Sequence, residues 1–243
     1  MRFLVLQHIP VEHPGIFRDF MAADGIAWDA VELDHGEAIP PLEPYDAMIV
    51  MGGPMDVFEE DAYPWLVAEK AAISRWVREL ERPYLGVCLG HQLLADALGG
   101  TVSTMASPEV GILDVALSEA GANDPFLAGL PTTVRCLQWH GCEVSSLPGG
   151  AAVLASSPAC AYQAIRVGGH AWGLQYHVEL THETVPEWAA VPAYAESLER
   201  TFGAGGGNRL QVEAAAEMEG FNRNARLLYD NFAGAVAAAR ATT

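Results

Sequence analysis

The feature that most constrains this chain is the alternation in its first half. Residues 2–9 ("RFLVLQHI") form an apolar run of strand length, and 14–25 then space their apolar residues as a helix does and stop at glycine. The pattern repeats with a strand over 28–34, a proline-rich loop at 38–45, and a nearly continuous apolar strand over 46–53 that closes on Gly52 and Gly53. A helix follows over 63–81 with Pro64 in its first turn, then a strand at 83–87 ("PYLGV") and a helix to about Leu98. Strands that are apolar almost throughout are buried on both faces. Alternating with helices, they predict an α/β fold with a mostly parallel central sheet flanked by helices.

The second half is richer in strands, predicted at 110–119, 132–141, 162–168 and 170–180, the last two joined at Gly168–Gly169 like a hairpin. They add antiparallel strands to the expected sheet. A helix is predicted over 183–200. "GAGGGN" at 203–208 reads as a flexible break, and it is no phosphate loop because no Gly-Lys-Ser/Thr follows. A long helical pattern from 210 to 239 packs on the domain or serves dimerisation. With no internal repeat and no clear boundary, one domain over 1–243 is expected, with a helical tail at about 208–243.

Composition removes several function classes. Thirteen Lys and Arg against 31 Asp and Glu give a net charge of −18, a surface that repels nucleic acid and anionic membranes. No apolar stretch is long enough to span a bilayer. The only apolar run near the start, Phe3 to Leu6, lacks a small-residue cleavage site after it and reads as a first buried strand, so a cytoplasmic location is expected. The four cysteines, Cys88, Cys136, Cys142 and Cys160, form no Cys-x-x-Cys pair, which argues against a zinc ribbon or a thioredoxin motif. No metal or organic cofactor is expected.

Ligands of parallel sheets sit beyond the carboxyl ends of the strands, where Gly52–Gly53 and Cys88 both fall. A cysteine where a strand turns sharply into a helix is either small core filler or a nucleophile held out for use. The helix N-terminus offers free N–H groups and partial positive charge to a thiolate or an oxyanion. Gly86 and Gly90 let the backbone turn tightly. A nucleophile also needs a base and a group that orients the base. "GLQYHVEL" supplies His177 and Glu179, which share a face if the segment is a strand.

"GVCLGHQ" (86–92), "GLQYHVE" (173–179) and "GGP" (52–54) together resemble the class I, triad-type glutamine amidotransferases. "LQH" at 6–8, "GGPMDVFEEDAYPWL" and "LPGGAAVLASSPACAYQA" resemble the stand-alone, GMP synthase-like subgroup. The resemblance covers essentially the whole chain and implies a flavodoxin-like sheet. It implies Cys88 as nucleophile, His177 as base and acid, and Glu179 as orienting carboxylate. It implies an oxyanion hole from the backbone N–H groups of Gly53 and Leu89. Substrate contacts would come from Gly52, Gln92, Glu109 and Gly111, with His140 either lining the pocket or purely structural. His91 reads as a packing or helix-start residue, and His13, His35, His170 and His182 as surface or loop residues. The family usually has proline between the catalytic His and Glu where this chain has Val178. Both catalytic side chains remain, so activity is expected to survive.

The implied chemistry is hydrolysis of the γ-carboxamide of glutamine through a γ-glutamyl thioester, with ammonia passing to a separate synthetase subunit. The chain is too short to hold an ATP-dependent synthetase domain of its own. A stand-alone γ-glutamyl peptidase or hydrolase would use the same triad, and an inactive binding or regulatory module is the alternative from another class. An oligomer is compatible with either.

Overall fold

The parallel part of the sheet follows the predicted alternation. In the computed structural model, which describes residues 1–241, β1 (Arg2–Gln7), β2 (Ala27–Glu32), β3 (Ala47–Val50) and β4 (Tyr84–Val87) are linked by α1 (Phe17–Ala23) and α2 (Trp65–Arg78), and α3 (Leu89–Ala97) follows. The chain continues through β5 (Thr101–Leu117), α4 (Glu119–Ala122), β6 (Thr133–Ser146), β7 (Ala151–Ser156), β8 (Ala164–Val167) and β9 (Ala171–Leu174). It closes with α5 (Thr184–Ala189), α6 (Pro192–Phe202) and α7 (Gly206–Ala241). The described residues form one nine-stranded sheet in the order β2-β1-β3-β4-β9-β8-β7-β5-β6. β2 to β9 in that order run parallel, with Gly86 opposite Gly173 and Val87 opposite Leu174, and β8, β7, β5 and β6 continue antiparallel.

Alternate strand residues serve opposite faces. Phe3, Val5, Ile49 and Leu85 pack with Phe17 and Met21 of α1 and with Leu228, Tyr229 and Phe232 of α7. Leu4, Leu6, Met48, Val50 and Tyr84 pack with Leu66, Ile73 and Trp76 of α2 and with Leu93 and Leu94 of α3. Burying each such side chain contributes roughly 1.5–3 kcal/mol, which is why both faces must be covered. A third cluster joins Val110, Ile112, Leu137 and Trp139 to Trp188, Tyr194, Leu198 and Phe221. It fastens α5, α6 and the first half of α7 over β5 and β6.

Several boundaries differ from the predicted ones. The strand expected over 170–180 stops at Leu174, where its partner β8 begins and the ladder runs out. The chain then pairs with β6 through a single bridge, His177 with Leu137, exchanging N–H···O bonds of 2.9 and 3.0 Å. The helix expected over 183–200 is two helices, because Pro192 has no N–H to continue one and Val191 before it is extended (φ −76°, ψ 125°). The expected glycine-rich break is shorter: the turn is made at Gly203 and Gly205, and Gly206 already begins the 36-residue α7. The last two residues of the expected tail, 242 and 243, lie outside the described residues. β5 starts at Thr101, well before the expected 110, and β7 ("AAVLAS") was not expected at all, since alanine carries little strand preference. The hairpin at Gly168–Gly169 is present, pairing Val167 with Ala171. No helix of the described residues is long and apolar enough to cross a membrane.

Candidate active site

β4 turns into α3 at Cys88, whose backbone lies at φ 52°, ψ −105°. Among the described residues only Glu81 joins it as a non-glycine with positive φ. The conformation is that of the first central residue of a type II′ turn, a position normally held by glycine, and strain of this kind costs about 1–3 kcal/mol. The flanking glycines make it possible: a Cβ on Gly86 would stand 2.3 Å from the Gly90 carbonyl oxygen, and one on Gly90 would stand 2.1 Å from that of Val50. The Cys88 N–H donates to the Leu174 carbonyl at 2.7 Å, tying the elbow to β9. The Cys88 carbonyl accepts from the N–H groups of His91 and Gln92 at 3.0 and 3.1 Å and so opens α3. Leu89 is then the first helical residue, with an N–H that has no intrahelical acceptor.

The bridge to β6 fixes His177 across from this elbow. Its Nδ1–H donates to Glu179 Oε1 at 2.7 Å, which leaves Nε2 for the Cys88 thiol, its side-chain hydrogen-bond partner. The second oxygen of Glu179 accepts from the Val178 N–H at 3.0 Å, and its backbone carbonyl accepts from the Ile16 N–H at 2.9 Å. The valine that replaces the family's proline thus supplies a donor that proline lacks. The His177 ring meets Trp188 edge to face at 4.7 Å. Cys88, His177 and Glu179 are all buried. Burial pushes the Cys88 thiol up, and the His177 hydrogen bond offsets only part of the rise. For His177 burial works downward, but Glu179 and Cys88 outweigh it and hold the imidazole well above its ordinary value.

Further polar groups close the other side of the sulfur. A Cβ on Gly52 would fall 1.8 Å from Glu12 Oε2 and 3.5 Å from Cys88 Cβ, so the Glu12 carboxyl lies against Gly52 beside the nucleophile. Gly53 sits against both Leu89 and His8. Burial pushes the Glu12 carboxyl up to about 7, against the attraction of His177 and His8. The Tyr194 hydroxyl of α6 donates to Glu12 Oε1. A cleft of about 700 Å³ opens alongside, lined by Pro54, Asp56, Trp139, His140, Tyr194 and Arg200 among others.

The remaining predicted residues are spread around this centre. The Gln92 amide donates to the Cys142 carbonyl and to Gln175 Oε1, both at 3.0 Å, and the Gln175 amide in turn donates to Cys88 Sγ at 3.7 Å. Glu109 and His140 face each other across the β5–β6 ladder, with His140 Nε2 at 3.2 Å from Glu109 Oε2 and His140 Nδ1 donating to the Cys142 carbonyl at 2.8 Å. Glu109 also accepts from Ser157 and Gln163. Gly111 packs toward Phe202, where an added Cβ would stand 3.3 Å from the ring. Of these three, only His140 lines the cleft. His91 is fully buried against Gly173, and desolvation drives its imidazole down to about 3, so it is neutral packing. Cys136, Cys142 and Cys160 are free and buried, and burial pushes the last two thiols up to about 12. Among the described residues, no group of three or more His, Cys, Asp or Glu is arranged to hold a metal ion.

Sequence reading did not single out Glu12, Gln175, Glu69 or Tyr194, and it gave His8 no role. Two signals were available. His8 and Glu12 follow the first apolar strand at its carboxyl end. Glu69 occupies the apolar stripe of α2 together with Leu66, Ile73, Trp76 and Val77, a position where a carboxylate must find a buried partner.

A strained cysteine elbow above a parallel sheet, with a histidine–glutamate pair facing the sulfur, defines an α/β enzyme of the cysteine-nucleophile class. The family model for class I glutamine amidotransferases matches residues 22–188, and the chain belongs to that family. It is 35% identical over 193 residues to the glutamine amidotransferase-like protein YfeJ of Salmonella typhimurium, spanning 76% of this chain and 78% of that one. It is 34% identical over 153 residues to the glutamine-hydrolysing subunit of GMP synthase from Saccharolobus solfataricus, spanning 60% and 77%. A solved glutamine amidotransferase from Thermotoga maritima superposes with a TM-score of 0.85 at 30% identity, over 96% of this chain and 97% of that one. The family match ends before α6 and its Tyr194, but the structural likeness continues past them.

Proposed function

We propose that this chain hydrolyses the γ-amide of glutamine, or of a γ-glutamyl compound, through a thioester on Cys88. The observation that carries the reading is the Cys88 elbow facing a His177 whose Nδ1–H is held by Glu179 at 2.7 Å. His177 takes the Cys88 proton as sulfur attacks the γ-carbonyl. The N–H groups of Gly53 and Leu89 receive the oxyanion, each such donor being worth about 3 kcal/mol in a preorganised site. His177 returns the proton to the departing nitrogen, and water, deprotonated by the same imidazole, releases glutamate. Gly52 and Gln92 flank the scissile group, the latter through Gln175. Glu109, Gly111 and His140 form the outer wall toward the amino-acid end.

The chain acts as one amidotransferase unit, placed in the cytoplasm, that passes ammonia to a separate synthetase subunit. Support comes from the Saccharolobus relative, whose own name describes a glutamine-hydrolysing subunit. A second reading, a stand-alone γ-glutamyl hydrolase, is favoured by the roughly 700 Å³ cleft beside Tyr194, which leaves room for a leaving group larger than ammonia. Wild type and Cys88→Ala are to be tested with glutamine, γ-glutamyl peptides and γ-glutamyl amines. Ammonia release from glutamine by wild type alone supports the first reading, and turnover restricted to peptides or amines supports the second. No turnover, with equal binding by both proteins, would leave a binding module and sink the mechanism.

A further inference from the structure

His8 and Glu69 form a histidine–carboxylate pair that the triad does not use. Both side chains are fully buried, His8 just beyond β1 and Glu69 on α2. His8 Nε2 lies 3.0 and 3.1 Å from the two Glu69 oxygens, and His8 Nδ1 lies 2.8 Å from the Gly52 carbonyl oxygen. A carbonyl and a carboxylate only accept, so the ring satisfies both contacts by carrying a proton on each nitrogen. Burial opposes that charge, but the Glu69 carboxylate and the Gly52 carbonyl outweigh it and hold His8 above its ordinary value.

The carbonyl that His8 grips belongs to the peptide unit whose N–H is that of Gly53. In a planar trans peptide the C=O and N–H point in opposite directions, so holding one aims the other. Glycine at both 52 and 53 leaves this peptide with little to resist a flip. Its surroundings tie it to the nucleophile: Gly52 stands against Cys88 and Gly53 against Leu89 and the His8 Cβ.

We infer that His8 and Glu69 are positioning residues that lock the Gly52–Gly53 peptide so that the Gly53 N–H faces the oxyanion, with Glu69 fixing the ring and His8 holding the carbonyl. The inference rests on the hydrolase reading above. Neither residue touches the substrate. The pair acts on a developing charge, so its loss appears in kcat more than in KM.

Two near-isosteric replacements separate this role from simple charge pairing. In His8→Asn the amide nitrogen replaces Nδ1, keeping the donor to Gly52 and losing Glu69. In His8→Gln it replaces Nε2, keeping Glu69 and releasing Gly52. With glutamine and γ-glutamyl p-nitroanilide as substrates, His8→Asn is expected to keep kcat within about tenfold. His8→Gln is expected to lose about 10²–10³-fold in kcat with KM within about threefold. Alkylation of Cys88 by iodoacetamide forms no oxyanion and stays within about threefold in both. Glu69→Leu, which frees the ring to turn, gives a second route if His8→Gln fails to fold, with a fall in kcat of about 10–100-fold at near-constant KM. The reverse order, Gln active and Asn inactive, overturns the inference in favour of charge pairing alone. So does a parallel loss of alkylation, or kcat unchanged in every variant. A wild-type protein that is alkylated at Cys88 yet hydrolyses neither substrate overturns the hydrolase reading, and this inference with it.

Discussion

Strands β1, β3, β4 and β9 end side by side at Gln7, Val50, Val87 and Leu174, and the residues just beyond them are His8 and Glu12, Gly52 and Gly53, Cys88, and Gln175 to His177. The antiparallel strands β8, β7, β5 and β6 hold similar side chains to different effect. There Glu109 is taken up by Ser157, Gln163 and His140, and Gln163 is also bound by Gln138. A histidine–carboxylate pair at a converging set of strand ends faces a sulfur. A pair inside a continuing ladder faces its register partner. Position relative to strand ends, rather than residue type, separates chemistry from support.

The largest expected effect tests that separation at the elbow. Cys88→Gly should lower turnover by about 10³-fold or more, since the nucleophile is gone. The same change should stabilise the fold by about 1 kcal/mol, because glycine adopts φ 52°, ψ −105° without the strain cysteine bears. Urea unfolding alongside turnover reads both. A destabilised Cys88→Gly would mean that the elbow is held by the cysteine side chain and not in spite of it.

Glu12 is next. Its folded-state value, about 7, lies above the ordinary 4.5, so between these values the folded protein binds more protons than the unfolded chain. Stability therefore falls as pH rises from about 4.5 through 7, and the ionised carboxyl costs of order 3 kcal/mol above that. Glu12→Gln should remove this slope, leaving a protein more stable than wild type at pH 8 and little changed at pH 4. Unfolding curves at pH 4, 6 and 8 decide it, and an unchanged slope in the variant assigns the titration to another group.

What was legible in the sequence divides along the same line. Continuous apolar runs and glycine stops located β1, β3 and β4, because a parallel sheet buried on both faces leaves no other pattern. The elbow and its histidine–glutamate pair were legible from their motif. The antiparallel strands were not: β7 is alanine-rich, and β5 includes Ser107, Pro108 and Glu109 within its span. The face shared by His177 and Glu179 was read from a strand that ends at Leu174. Their alignment comes from the bridge to Leu137 and from the carboxylate's own hydrogen bonds, long-range contacts that no local period records. Glu12 and Tyr194 meet across 182 positions of sequence, beyond the reach of any window.

Glu109 tests the antiparallel side. Hydrogen bonds from His140, Ser157 and Gln163 outweigh its burial and hold its carboxyl below the ordinary value. It therefore contributes stability above the unfolded value that is lost as pH falls through the folded one. Glu109→Gln should cost about 2 kcal/mol at pH 7 and less at pH 4, with KM within about threefold. A tenfold rise in KM at unchanged stability would instead move Glu109 to the chemical side of the comparison, as a substrate contact.

The smallest effect probes the join between the two regions. Val178 lies between the bridge to β6 and the carboxylate that orients His177, and its N–H donates to Glu179 Oε2 at 3.0 Å. Val178→Pro installs the residue usual in the family but deletes that donor. The hydrogen bond is one of two holding the carboxylate, so its loss should weaken the alignment of His177 by about 1 kcal/mol, roughly a fivefold fall in kcat. The proline ring fixes φ near −65° and works the other way, limiting how far the carboxylate swings. If kcat rises instead, backbone rigidity outweighs the donor. The bridge to Leu137 would then be too soft to align the pair unaided, and the antiparallel half would contribute less to the site than its contact with His177 implies.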